Sequence, residues 1–202
     1  MKKFLLSAAL VCVASIGTKA QTTLSQTGGA APTTSTIYCP VSSGGQTTGI
    51  NASSYYRSYT MAAATKIVSV KVGNIVNLAT GVANFPITVK LYKSNGAFPA
   101  SAASGLTQIA TVNKALNKSA ADAQGNLIAA TETINFVSAV PVAAGDIIVV
   151  EVSHATVNGG LFLMGAVAPT ATGTSGYIKA TTCSLATPTG ISTVNVGTPP
   201  AP

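Results

Sequence analysis

Short runs of β-branched residues, broken every ten to twenty positions by Gly, Pro, Asn and Ser, run through this chain, and no segment sustains a 3.6-residue apolar period. That pattern rules out a helical bundle and points to many short strands joined by turns. Candidate strands cover residues 36–41, 54–61, 66–72, 85–92, 106–112, 130–137, 146–153, 161–167, 176–183 and 191–196. Alternation is cleanest at 85–92, where Ile87, Val89 and Leu91 share one face and Thr88, Lys90 and Tyr92 the other. In 146–153, Ile148, Val150 and Val152 oppose Ile147, Val149 and Glu151, so this strand is apolar on both faces at its start and belongs at a sheet centre. The most helix-like segment, 115–124, carries Asn117, Ser119 and Asp122 and reads as a loop or one short turn. The expected fold is all-β: an antiparallel β-sandwich, jelly-roll-like, of nine or ten strands.

Residues 1–20 have a different composition. Lys2 and Lys3 precede an apolar stretch from Phe4 to Ile16, and Thr18-Lys19-Ala20 leads to a cut ahead of Gln21. This is the layout of a secretory signal peptide, and its apolar core is too short for a good membrane span. Leu10 and Val11 are too bulky for the positions before a lipidated Cys12. The organisation expected is a signal peptide over 1–20, a flexible polar leader over 21–35, a β-sandwich domain over 36–197 and a Pro-rich tail over 198–202. No integral membrane segment is expected after signal removal, and the protein is expected at the cell surface or outside the cell.

Without the signal, eight basic and four acidic residues remain, a net +4. The basic residues (Arg57, Lys66, Lys71, Lys90, Lys93, Lys114, Lys118, Lys179) are scattered, whereas a nucleic-acid footprint needs a dense basic stripe. No nucleic-acid partner is expected.

Cys39 and Cys183 remain after the signal, and in an exported chain an isolated pair usually forms a disulfide. Closing so long a loop contributes on the order of 4–5 kcal/mol in the chain-entropy model. A free reactive thiol is the alternative. Two distant cysteines and one histidine do not supply the four ligands of a zinc site, and neither metal nor cofactor is expected.

Chemistry-bearing residues are scarce. His154 closes a strand, and no G-x-S-x-G elbow occurs to partner it. Asp122 and Asp146 read as turn residues, Glu151 lies among strand hydrophobics, and with Glu132 they are the only carboxylates. A glycosidase needs two at a fixed separation, and a calcium loop needs several. No catalytic residue is assigned, and the chain is read as a non-enzyme. Tyr55, Arg57 and Tyr59 share parity on one strand, so they project together and could stack on or donate to a sugar; the alternative is that Tyr59 is core and the other two cover a sandwich edge.

The order of several segments is similar to a secreted β-sandwich module of Bacteroidota exoproteins. The segments are Tyr56-Arg57-Ser58-Tyr59, IVSVKVG at 67–73, ITVKLY at 87–92, Leu106-Thr107-Gln108-Ile109-Ala110, AAGDIIVVEV at 143–152, 162–165, and 176–183 ahead of Thr187-Pro188-Thr189. The resemblance covers 34–196 and implies a non-catalytic module that accompanies enzymes or adhesins, often ahead of a type IX sorting domain. Here Thr198-Pro199-Pro200-Ala201-Pro202 reads as a linker-like stub in place of such a domain.

The expected role is structural or adhesive, by self-association or contact with other surface proteins through edge strands or terminal segments. With only 7% of residues charged, the surface offers little electrostatic barrier to association. A carbohydrate-binding module with a polysaccharide partner is the second reading. A hydrolase, which would need His154 gathered with a carboxylate, is the third.

Overall fold

The computed structural model describes residues 21–25, 37–164 and 176–191. The signal segment, residues 26–36, the tail and most of the 191–196 candidate strand lie outside the described residues. Thirteen strands are described: β1 Gln21–Ser25, β2 Pro40–Ser43, β3 Gln46–Ile50, β4 Ser53–Thr60, β5 Thr65–Leu78, β6 Phe85–Ser94, β7 Leu106–Leu116, β8 Ala130–Val142, β9 Ile147–His154, β10 Val157–Asn158, β11 Gly160–Met164, β12 Tyr177–Ala180 and β13 Leu185–Gly190. The chain is all-β, and its packed antiparallel sheets form the sandwich that the alternation predicts.

One layer is six-stranded in the order β13-β12-β4-β9-β6-β7. Strand β9 lies in its interior between β4 and β6, as its two-faced apolar pattern requires. The facing layer is built on β5, which pairs with β8 along one side and with β1 and then β11 along the other. A small sheet, β10-β3-β2, closes one end. The core lies between the two large sheets, where Ile67, Val70 and Val72 of β5 meet Ile87, Val89 and Leu91 of β6 and Ile148, Val150 and Val152 of β9. At the small sheet, Gly49 is required by close approach: a Cβ there would collide with the carbonyl of Val157 on β10.

Two expectations change. The leader does not begin at Gln21 as a flexible segment. Residues Gln21–Ser25 form β1, parallel to β5, with Leu24 buried. QTTLS holds one large apolar side chain, too few for a periodic signal, and its strand state comes from the backbone of β5 beside it. The strand count exceeds nine or ten because β1, β3, β10 and β13 are short or rich in Thr, Gly and Pro, and tertiary pairing holds them extended. Residues 115 and 116 of the 115–124 segment close β7, and the rest is a loop with a single isolated bridge, Ala121 to Leu127.

Candidate functional site

The cysteine pairing is as expected. Cys39 and Cys183 are disulfide-bonded with Cα atoms 5.9 Å apart. The bond ties the segment entering β2 to the 3-10 turn between β12 and β13.

The predicted ligand face is overturned. Tyr55, Arg57 and Tyr59 do share one face of β4, but it is the inner one. Their partners across the β4–β9 ladder are the core residues Val152, Val150 and Ile148. Tyr55 and Arg57 are 3% and 6% exposed. The phenols reach backbone acceptors: Tyr55 Oη donates to the Ile37 carbonyl at 3.1 Å, and Tyr59 Oη to the Ser25 carbonyl at 2.7 Å. Burial raises both phenol pKa values, offset in part at Tyr59 by the nearby Arg57 charge. These rings are therefore wall, and their polar ends hold chain segments in place.

The outer face of the six-stranded sheet carries the residues that parity reasoning on β4 passed over. Register aligns Lys179, Ser54, Ser153, Thr88 and Asn113 in one row across β12, β4, β9, β6 and β7. The next row is Tyr177, Tyr56, Glu151, Lys90 and Thr111. Glu151 is the hub: Ser54 Oγ donates to Oε1 at 2.8 Å, Tyr92 Oη to Oε2 at 2.6 Å, and Lys90 Nζ stands 4.0 Å away. The alternation in 85–92 and 146–153 shows which residues face outward on each strand. It does not show that β6 and β9 are neighbours. Phe98, from the loop after β6, packs on Tyr56 and Tyr177 and covers one end of this face.

The other titratable groups are held apart. His154 points inward from β9, opposite in parity to Glu151, into a cage of Tyr55, Phe85 and Phe162 rings 5.2–6.2 Å away. Its Nδ1 bonds the Ala155 carbonyl at 2.8 Å, and buried Nε2 has no hydrogen-bond partner. Asp122 accepts from the N–H groups of Gln124 and Asn126 in its own turn, and Asp146 accepts from Ala143 N–H and pairs with Lys93 at 2.7 Å. These bonds hold both carboxyls below the usual carboxylate value. Among the described residues no three of His, Cys, Asp and Glu are placed to hold a metal ion, and no helix is long and apolar enough to cross a membrane. An open depression of about 360 Å³ between β3, β5 and β11 is lined by Thr47, Thr48, Asn77, Leu78, Leu161 and neighbouring glycine and alanine, none titratable.

Strand β8 is interrupted by a bulge opposite Ile67–Ser69 and contains Pro141; β13 contains Pro188. Strand β7 has no proline, but it carries a bulge of its own, a one-residue slip at Ile109 opposite Leu91 and Tyr92. It runs eleven residues with Lys114 as its only charge, and its only strand partner among the described residues is β6. On the facing layer, the β5 edge is filled by β1. Leu24 enters the core, and the hydroxyls of Thr23 and Ser69 meet at 2.7 Å.

Comparison with family models, with curated proteins and with solved structures finds no match. The resemblance to secreted Bacteroidota modules rests on the sequence motifs alone.

Proposed function

We propose that this chain is an exported, non-catalytic β-sandwich that builds structure or adhesion at the cell surface or beyond it by associating with copies of itself. The observation that carries this reading is β7: a long, nearly uncharged, proline-free strand ending a six-stranded sheet. Unpaired backbone groups on such an edge template another strand, which is why natural sandwiches blunt their edges with charge, proline or bulges. Strand β7 itself carries one bulge and one lysine, but among the described residues it is the longest sheet-end strand without proline. The separation of His154 from every carboxylate supports the non-catalytic part. The test is the size distribution of the exported chain against concentration, by light scattering and electron microscopy. Association that Ile109→Lys and Thr111→Lys abolish is the expected result; a monomer at high concentration overturns the reading.

A second reading, glycan binding, is favoured by the row of hydroxyl and amide groups, Ser54, Ser153, Thr88 and Asn113, on the same outer face as Tyr92. A saturable polysaccharide pull-down lost on Tyr92→Ala and kept in the β7 variants would select it.

A further inference from the structure

We infer that β1 is a donor strand, and that the β5 edge of one copy is filled by Gln21–Ser25 of another. This deepens the assembly reading above and rests on it.

The β5 edge has to be occupied. Ile67 and Val70 of β5 are fully buried, and without β1 the Leu24 position in the core opens. The hydroxyls of Ser69 and Tyr59 would also lose the partners they have in Thr23 and Ser25. Buried polar groups left without partners are costly, so an empty edge is unstable.

The occupant is easily exchanged. It is a five-residue ladder with one buried apolar side chain, it precedes every other element among the described residues, and its withdrawal unthreads nothing. With the predicted cut ahead of Gln21, it is also the start of the exported chain. An identical strand from another copy makes identical contacts, so exchange alters only the chain connection.

The connection has the reach. Ser25 and Ile37 bracket the eleven residues 26–36, and both carbonyls are held by tyrosines four positions apart on β4. Four residues of strand span about 13 Å. Eleven residues extend to about 40 Å, comparable to the diameter of a domain this size. The segment is uncharged, contains two glycines and lacks large apolar side chains. At full extension it is long enough to lay β1 in a neighbour. Each copy then gives one strand and takes one through different surfaces, a head-to-tail arrangement that extends without closing.

The Thr23–Ser69 contact supplies the test. Chains carrying Thr23→Cys alone and Ser69→Cys alone are co-expressed and exported, and the products are separated without reductant. Donor exchange yields a covalent two-chain product whose bridge maps to positions 23 and 69. A bridge found only within single chains of the double variant overturns the inference, as does no bridge in either experiment. If the protein assembles through β7 while the bridge stays within chains, the assembly reading survives and the donor strand does not. If the protein is also monomeric, both fail. A second arm uses a chain lacking 21–25, which can accept a strand but not donate one. Mixed with intact chain it should terminate growth and shorten the assemblies in proportion to its share; unchanged length overturns the inference.

Discussion

Tyr92 on β6 donates its hydroxyl to Glu151 on β9 at 2.6 Å, and the carboxylate that receives it is only 7% exposed. A buried carboxylate needs donors that replace lost water. Here Ser54, Tyr92 and the more distant Lys90 do so. Removing one donor leaves the acceptor buried and underbonded. Tyr92→Phe is therefore expected to cost about 1–3 kcal/mol, read as a lower urea midpoint with unchanged slope. Ser58→Ala, on the same outer face of β4, should stay within about 0.5 kcal/mol.

The same burial shapes the alkaline titration. Tyr55, Tyr59 and Tyr92 have raised pKa values, chiefly from burial, and Tyr56 is pushed up to about 12 by burial and by the Glu151 charge. Phenols raised in the folded state keep their protons where the unfolded chain has lost them. Their stabilisation is complete below pH 10 and is lost as pH rises from there through the folded values. Ultraviolet titration should show Tyr55, Tyr56, Tyr59 and Tyr92 still protonated in the native chain at pH 11. In the denaturant-unfolded chain all six should be mostly ionised at that pH.

Strand alternation carries most of the sandwich in the sequence, because the period-2 signal reflects burial on one face. At 85–92 and 146–153 it also identifies the outward residues Lys90, Tyr92 and Glu151. It fails at β4, where tyrosines occupy both parities: Tyr55 and Tyr59 bury their rings inward while Tyr56 faces outward. An amphipathic ring fits either environment, so residue type does not choose the face; the β4–β9 register does. Strand β1 escapes for a different reason. QTTLS has no intrinsic pattern, and its order is supplied by an edge forty residues downstream. The Cys39–Cys183 pair is legible because an isolated pair in a chain expected to be exported is chosen by chemistry, without any periodicity.

The disulfide closes nearly the whole domain. In the chain-entropy model a loop spanning 144 positions restricts the unfolded chain by on the order of 4–5 kcal/mol. Cys39→Ser combined with Cys183→Ser should lower the unfolding midpoint substantially in non-reducing buffer. The parent chain should match the double variant once fully reduced. Equal midpoints for oxidised parent and variant would show that the bond contributes nothing.

His154 sets the acid limit. Desolvation by the Tyr55, Phe85 and Phe162 rings lowers its pKa from the usual 6.5, and the Ala155 hydrogen bond opposes this only in part. Buried Nε2 has no partner to accept a proton's worth of charge. The neutral ring is the folded form, whereas the unfolded chain protonates its histidine near pH 6.5. Stability from this site is therefore full above that pH and falls as pH drops through the window below it. A single group gives a slope of at most about 1.4 kcal/mol per pH unit. Asp122 and Asp146 are lowered from 3.8, so their contributions are lost as pH falls below that value, under the pH 5.0 end of the measurement. His154→Phe keeps an aromatic ring in the cage and removes the titration. Urea unfolding at pH 7.5, 6.5, 5.5 and 5.0 should show the parent losing stability on acidification while the variant stays nearly flat. Parallel curves for the two proteins would mean that the cage does not hold a neutral imidazole.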